Sequence, residues 1–367
     1  MPDIKQFDRY LDPDGPAALV IREWLMPVEG DDGVLFPATF ASGDGFPGGY
    51  NIDKDEVTKK NVALIDTVGS QANRIEPVFA EEKYRHLIPQ IVITAGEKDV
   101  NILEAGHRAG DALFRCSSLQ QELQDAFKSV LKGDAEKLAK IAPTSLVFGV
   151  WDSRDTQAKL PRVVASTIRA FNVRQLKRGA VYVPPVDYAA LEVFSEEEKA
   201  KAEGDNKNPL AKRGFVHVPA SGSHGGVIAD GGIRRDATLG LAAVRLLSAG
   251  KDTEKTKALQ RYVLGLALVA FTHNPAGYLR QGCLLVRNPE KANENEFVEV
   301  LPTGERIAVE LTHDDALAFA NQAAKAFGVG ASKTVPFDTK RAKDDVTGEG
   351  NTKKAGKKGK KAGANDD

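Results

Sequence analysis

The residues best suited to chemistry form a polar cluster directly after a strand-like segment. Residues 61–68 are apolar and β-prone enough for a buried strand, which Gly69 then interrupts. The polar side chains that follow are Ser70, Gln71, Asn73 and Arg74. Hydroxyl, amide and guanidinium groups form hydrogen bonds to phosphate oxygens and sugars, so the cluster is suited to binding the backbone of a polar ligand. The alternative is a loop whose amides satisfy local backbone groups while Arg74 pairs with Glu76 or Glu81.

A run of basic residues occupies positions 154–178, where Asp155 is the single acid. Its members are Arg154, Lys159, Arg162, Arg169, Arg174, Lys177 and Arg178. Part of the run falls on predicted strands, and a sheet surface is what RRM-like folds present to single-stranded RNA. The alternative is a set of surface cations with partners elsewhere in the chain. Trp151, just before the run, could stack on a base, although a lone Trp at a strand end is more often core.

A glycine-rich segment at positions 221–235 is the second candidate for ligand binding. Its glycines would let backbone N–H groups approach an anion, and Arg234 and Arg235 stand before a predicted helix. The segment lacks the G-K-[ST] ending of a Walker motif. His224 could act as an acid or base in RNA cleavage, or it could be an ordinary loop residue.

Composition excludes several classes of protein. The 50 Lys/Arg and 51 Asp/Glu nearly balance, so binding to nucleic acid must come from a local basic track. With two cysteines and no Cys/His cluster, we expect no disulfide framework, no metal site and no cofactor. The charged N-terminus is unlike a signal peptide, and the apolar run at 263–271 is too short to cross a bilayer. We therefore predict a cytoplasmic protein with no membrane partner.

The elements that would position these residues follow an order typical of one fold. The stronger ones are strand 61–68, helices 101–131, strands 145–151 and 163–171, helices 237–271 and strand 283–287. This order predicts an α+β protein with an RRM-like or ferredoxin-like βαββαβ palm, decorated by insertions. We also expect a hairpin partner for the last strand at 297–301 and a closing helix at 313–327.

Domain boundaries follow from changes in composition. Residues 1–60 are predicted to be irregular with strand pieces, and 61–336 to form the palm with its insertions. The charged segment 191–214 reads as a solvated insertion. Residues 337–367 are rich in Lys and Gly and cannot bury a core, so they are predicted to be disordered.

Four segments together resemble one CRISPR-associated family. They are L-F-P-A-T-F-A at 35–41, D-T-V-G-S-Q-A-N-R-I-E at 66–76, H-R-A-G-D-A at 107–112 and F-G-V-W-D-S-R-D-T-Q-A-K-L-P-R at 148–162. In this order they resemble the RAMP-superfamily backbone subunit (Cas-seven type) of the type I-G, formerly I-U, Cascade complex. The resemblance covers most of residues 15–335.

The resemblance implies a palm with inserted finger and thumb elements and a non-catalytic role in antiviral defence. Its partners would be CRISPR RNA, target DNA paired with that guide, copies of itself in a head-to-tail filament, and other Cascade subunits. The motif positions that it assigns to the RNA backbone are Ser70, Gln71, Asn73, Arg74, Arg108, Arg154, Lys159 and Arg162. From charge and loop chemistry we add Arg169, Lys177, Arg178, His224, Arg234 and Arg235. We expect Arg74, Arg154 and Arg162 to converge on one groove.

Two other functions stay open. A RAMP-type RNA-processing endoribonuclease is the first alternative, and an enzyme acting on a small phosphorylated substrate is the second. Some RAMP relatives cleave target RNA with an acidic residue, which makes Asp66 and Asp152 candidates for catalysis. We expect neither to be catalytic, because no Ser/His/Asp set, paired carboxylates or metal-ligand spacing accompanies them.

Overall fold

The computed structural model of the chain describes residues 4–273 and 277–347. The tail predicted to be disordered, 337–367, lies outside this range from residue 348 onward. The prediction was wrong for residues Thr339–Thr347, which form a helix that polar contacts such as Arg115 with Asp345 attach to the rest of the protein. Within the described part the protein is a mixed α+β structure built on antiparallel sheet. None of the described helices is long and apolar enough to cross a bilayer.

The strands range from two to twelve residues in length. They are β1 (Ala18–Pro27), β2 (Thr39–Phe40), β3 (Gly49–Tyr50), β4 (Ile52–Lys54), β5 (Asn61–Asp66), β6 (Ile91–Ala95), β7 (Lys98–Asn101), β8 (Val150–Trp151), β9 (Lys159–Leu160), β10 (Val164–Phe171), β11 (Val173–Tyr182), β12 (Val218–Ala229), β13 (Ile233–Gly240), β14 (Tyr278–Arg280), β15 (Cys283–Arg287), β16 (Glu296–Val300), β17 (Arg306–Ala308) and β18 (Lys333–Pro336).

The α-helices of the described residues fall mainly between these strands. They are α1 (Val68–Ile75), α2 (Ala112–Arg115), α3 (Gln120–Val130), α4 (Glu136–Ile141), α5 (Thr144–Phe148), α6 (Glu196–Ala202), α7 (Pro209–Lys212), α8 (Leu241–Arg245), α9 (Thr253–Thr272), α10 (His313–Phe327) and α11 (Thr339–Thr347).

The main sheet contains the βαββαβ arrangement in the spatial order β16, β1, β13, β10. Strand β1 pairs antiparallel with β13, β15 and β16, and β13 pairs antiparallel with β10. Strand β5 extends the sheet beyond β10, and β4 pairs with β5. Helices α1 and α5 connect the first two strands of the arrangement and α9 the last two, and all three pack against β10. The predicted fold class is therefore confirmed.

The strands of that arrangement are not the ones that the sequence suggested. The first is Ala18–Pro27 rather than 61–68, and the third is Ile233–Gly240, in a segment predicted to begin a helix. Positions 145–148, predicted as strand, belong to helix α5. The ladder partners of these segments are distant in sequence, and packing against them overrides local propensity. The predicted hairpin of β15 with β16 was also wrong, because β16 pairs with β1 and β17.

Helices α9 and α10 pack against each other at the centre of the larger core. Residues 262–271 of α9 are all buried, and α10 begins at a capping box formed by Thr312 and Asp315. The two helices approach closely at Gly265, where an added Cβ would lie 2.9 Å from the Cα of Ala320. Glycine is thus required there for packing.

A long hairpin, β11 with β12, continues outward from the central strands β10 and β13. It includes the glycine-rich segment predicted to be a loop, since β12 runs through Val218–Ala229. The charged insertion at 191–214 lies between the two hairpin strands and contains the short helices α6 and α7.

Candidate nucleic-acid interface

The main sheet has one face covered by helices and one open face, as the pairing register and burial demonstrate. Cross-strand partners point to the same side of a sheet. Leu19, Leu239 and Val164 are aligned in register and buried in the core beneath the helices. Their sequence neighbours therefore point away from the helices. The open face comprises Val20, Arg22 and Trp24 on β1, Arg234, Asp236 and Thr238 on β13, and Ala165, Thr167, Arg169 and Phe171 on β10.

Aromatic rings and cations are interleaved at one end of this open face. The ring centroids of Trp24 and Phe171 lie 6.1 Å apart and tilted. The guanidinium carbon of Arg234 lies 5.3 Å from the Trp24 centroid and 5.0 Å from that of Phe171, while Lys291 Nζ lies 4.1 Å from Trp24. Aromatic rings stack on unpaired bases and neighbouring cations contact phosphates, so this cluster suits single-stranded nucleic acid.

Ion pairs hold most cations of the open face in place. Arg234 makes a two-bond contact with Asp236, Nε to Oδ1 at 2.8 Å and NH2 to Oδ2 at 3.2 Å. Arg22 pairs with Glu296 at 2.9 Å. Arg169 donates to Thr167 Oγ1 at 2.6 Å, and none of the described carboxylates forms a salt bridge with it. Arg169 is therefore the cation of this face that is most available to a phosphate.

The sequence analysis named Arg169 and Arg234 but missed Trp24, Phe171, Arg22 and Lys291. A usable signal exists in A-L-V-I-R-E-W-L-M-P, where Leu19, Ile21 and Leu25 fall at odd positions while Arg22 and Trp24 fall at even ones. Such alternation is typical of a strand with one buried face and one solvated face. The contact between Lys291 and Trp24 has no comparable signal, because it joins segments far apart in the chain.

The motif at 66–76 forms a buried network centred on Asp66, which is 0% exposed at the end of β5. Its carboxylate accepts hydrogen bonds from Gln71 Nε2 at 2.7 Å, Arg74 Nε at 3.2 Å and Arg280 NH2 at 2.7 Å. Gln71 in turn accepts from Ser166 Oγ at 2.9 Å. The network fastens α1 to the sheet and to β14. Asp66 is thus explained as a structural anchor.

The polar cluster after Gly69 is helical rather than a loop. Thr67 caps α1 by accepting from the backbone N–H of Ser70, and Gly69 lies within the first turn. Gln71 is buried and Asn73 is exposed. Arg74 also donates to the Leu279 carbonyl at 2.6 Å, which leaves its side chain 30% exposed. Only part of the predicted cluster therefore faces solvent.

Arg108 is buried and paired with Glu76, Nε to Oε2 at 2.7 Å, with a second bond to the Gly149 carbonyl at 3.2 Å. Burial raises the pKa of Glu76 to about 7, although the adjacent Arg108 opposes that shift. Arg162 lies in the same neighbourhood, where burial and the nearby Arg108 charge lower its pKa. The backbone of Arg108 has φ of 49°, a left-handed conformation that the buried contacts must maintain.

Arg154 and Lys159 border an exposed aromatic ring. Lys159 is the strand partner of Trp151, and its Nζ lies 5.4 Å from the ring centroid. The loop that carries Arg154 is held by Asp152, whose Oδ2 accepts from Thr156 N at 2.8 Å and Oγ1 at 2.6 Å. Asp152 is buried, so its contacts explain it as the anchor of this loop.

The remaining predicted residues occupy two further places. Lys177 and Arg178 lie on β11, where Lys177 is the register partner of His224 on β12. The ring centroids of His224 and Tyr50 lie 4.6 Å apart, with the two rings tilted relative to each other. Arg235 points to the covered side, where it is buried against Glu23 with Nε to Oε2 at 2.8 Å.

The predicted residues therefore fall into several sets. The open face holds Arg169 and Arg234, and the hairpin holds Lys177, Arg178 and His224. Arg74 is engaged by Asp66, Arg162 lies near Glu76, and Arg154 lies near Trp151. Within the described part of the chain, Arg74 donates to Asp66 and to the Leu279 carbonyl, and Arg154 lines the surroundings of Trp151. Convergence of Arg74, Arg154 and Arg162 on one groove stays a prediction.

Comparison with known families points to a CRISPR role. Residues 19–175 match the family model described as CRISPR-associated protein GSU0053. The match begins in β1 and ends in β11, so it includes Asp66 and its partners Gln71 and Arg74, the Trp151 loop and two strands of the open face, but not Arg280. It supports a CRISPR association for this chain. None of the curated proteins compared with the chain matches it significantly.

Proposed function

We propose that this chain is a CRISPR RNA-binding backbone subunit, of the Cas-seven type, in a type I-G Cascade complex. The observation that carries the proposal is the open sheet face, where Trp24 and Phe171 flank Arg234 with Arg169 two residues away from Phe171. The match to a CRISPR-associated family over residues 19–175 supports the choice of RNA. The subunit binds and does not catalyse.

The guide lies with its sugar-phosphate backbone along the open face. Arg169 and Arg234 contact phosphates, while the rings of Trp24 and Phe171 contact bases or sugars. Most bases stay free to pair with target DNA, so sequence specificity belongs to the guide. Copies arranged head to tail along the guide, next to other Cascade subunits, form an open helical filament because their contacts are heterologous.

The salt dependence of RNA binding tests this proposal. Each phosphate contact with a single strand contributes about −0.7 to the slope of log K against log salt. The double variant Arg169→Ala/Arg234→Ala should therefore bind guide RNA more weakly and flatten the slope by about 1.4. The matched control is Arg85→Ala/Lys128→Ala, which removes the same charge from exposed positions flanking the helical core. Equal slopes for both double variants would refute the assignment of the open face.

The filament is tested separately by nuclease protection of a long guide. Protection in regular steps, with a step length that does not change with guide length, is expected of stacked copies. A protein that stays monomeric on a long guide and protects a single footprint would contradict the filament while leaving RNA binding intact.

A metal-independent endoribonuclease is the second candidate, because the β11–β12 hairpin brings suitable groups together. The exposed His224 lies tilted against the ring of Tyr50 and is the register partner of Lys177. A His beside a Lys and a Tyr can move protons during RNA cleavage. Incubation of repeat-containing RNA with the protein and a chelator tests this: a discrete cut that disappears in His224→Ala would favour the nuclease.

A further inference from the structure

A polar cleft of about 490 Å³ lies beside Trp151, away from the open face of the sheet. Its lining residues are His107, Gly110, Ala112, Arg115, Trp151, Ser153, Arg154 and Asp345. We name it the Trp151 cleft. Its volume falls within the range of about 300–1,000 Å³ that is usual for small-ligand pockets. Basic side chains outnumber acidic ones in its lining, so it suits an anion.

One wall of the cleft is an exposed aromatic platform. Trp151 is 55% exposed although it lies in a β-ladder, and Lys159 approaches its ring at 5.4 Å. The backbone beneath the ring is closely packed, since a Cβ added at Gly110 would lie 3.2 Å from the Trp151 carbonyl oxygen. An exposed indole beside a cation is a stacking surface for a nucleobase.

The lining of the cleft also includes a cation whose partner comes from helix α11. Arg115 NH2 pairs with Asp345 Oδ2 at 2.7 Å, and the Arg115 side chain is 14% exposed. Its Nε is buried and donates to no acceptor among the described residues. Arg115 therefore has hydrogen-bonding capacity that Asp345 does not use, and the two non-bridging oxygens of a phosphodiester would use more of it.

Helix α11, which supplies Asp345, is attached by polar contacts rather than by a core. None of its residues is buried. Arg341 NH1 donates to the Ser117 carbonyl at 2.6 Å, and a second polar cavity of about 440 Å³ separates part of the helix from α3. An element with so little buried apolar surface can detach at low free-energy cost.

We propose that the Trp151 cleft binds one nucleotide of single-stranded RNA, in competition with Asp345. The base stacks on Trp151, and its phosphate binds Arg115 and Arg154 after α11 moves away. This assignment rests on the proposed function for the class of ligand, but it adds a site distinct from the open face of the sheet. The C-terminal helix thereby acts as an internal mimic of the phosphate and sets the affinity of the cleft.

Binding of a single-stranded oligouridylate to the full chain tests the proposal. Trp151→Ala should weaken binding about tenfold, the size expected for loss of one base stack, and Trp151→Phe should retain most of the affinity. Asp345→Asn should tighten binding about threefold, the size of an exposed ion pair. The matched control is Asp344→Asn, which changes the same charge on the same helix without removing the partner of Arg115.

Fluorescence reports on the cleft directly, because the chain contains only two tryptophans, Trp24 and Trp151. In the Trp24→Phe background, oligouridylate should quench the remaining indole. Unchanged fluorescence, or equal affinities for Asp345→Asn and Asp344→Asn, would overturn the cleft assignment. If the salt slope still depended on Arg169 and Arg234, the proposed function would stand without the cleft. If the wild-type protein bound no RNA, both assignments would fall. If the Asp345→Asn variant bound only an acidic peptide, the cleft assignment alone would fall.

Discussion

The replacement of Asp66 by Asn separates an anchoring role from a catalytic one. Asn has nearly the same shape but carries no charge, and it presents an NH2 group where the carboxylate accepts bonds. Asp66 is fully buried and accepts from Gln71, Arg74 and Arg280 at 2.7 to 3.2 Å. Removing the anion leaves two guanidinium groups without their counter-charge, so we expect a substantial loss of stability.

The magnitude follows from the burial of the partners. Breaking a buried ion pair from one side costs about 3–5 kcal/mol. Because the Arg74 and Arg280 side chains are 30% and 24% exposed, water can solvate them in part, which places the expected loss near the lower end. For an m-value of about 3 kcal/mol/M, the midpoint of urea unfolding should fall by about 1 M.

The assay is urea unfolding followed by circular dichroism, with Asp236→Asn as the matched control. That substitution also removes a carboxylate paired with arginines, but at the sheet surface, where an ion pair contributes about 0–1 kcal/mol. An Asp66→Asn protein that unfolds like the wild type yet loses an RNA-cleaving activity would refute the anchoring role and make Asp66 catalytic.

Three further predictions concern buried groups. Burial raises the pKa of Glu76 to about 7, so the stability that Glu76 contributes is fully present below its unfolded pKa of 4.5 and is lost as pH rises through 7. The free energy of unfolding, measured at about pH 5 and about pH 8, should show this decline in the wild type and not in Glu76→Gln. Gly265→Val should destabilise the protein by about 1–3 kcal/mol, because the valine side chain would collide with Ala320 in α10. The control Gly106→Val, which has open space around it, should have little effect when both variants are compared by thermal unfolding. Glu23→Gln should cost about 3 kcal/mol of stability, because it leaves Arg235 buried without a charge partner. The double variant Glu23→Gln/Arg235→Met should recover part of that loss. If the losses of the two single variants simply added in urea unfolding, the pairing would be contradicted.

The elements that sequence predicted well are those fixed by local patterns. Helix α10 was predicted at 313–327 and occupies His313–Phe327, and the predicted helical region 237–271 ends within one residue of the end of α9 at Thr272. Amphipathic or apolar periodicity and end signals such as Thr312 with Asp315 act over a few residues, so they can be read directly. The strands were harder, because a strand is stabilised by a partner whose position the local sequence does not contain.

The same limit governed the candidate site. Arg169 and Arg234 were found as members of basic segments, and the register places them side by side. Their aromatic neighbour Trp24 comes from β1, which the sequence suggested only as a short apolar piece at 18–21. The chemistry of Asp66 was likewise hidden, since its partner Arg280 is 214 residues away in the chain. Spacing revealed which residues are polar, but only pairing revealed what they contact.

Strand β1 carries inward-facing residues and open-face residues at alternating positions along ten residues. Leu19, Ile21, Glu23 and Leu25 hold the core, while Val20, Arg22 and Trp24 face outward. Tolerance to substitution along this strand should therefore oscillate with a period of two residues. Variation can accumulate at the outward positions without loss of the fold, so relatives can differ on the open face while keeping the same core. A one-residue insertion in β1 would exchange the inward-facing and outward-facing positions along the rest of the strand.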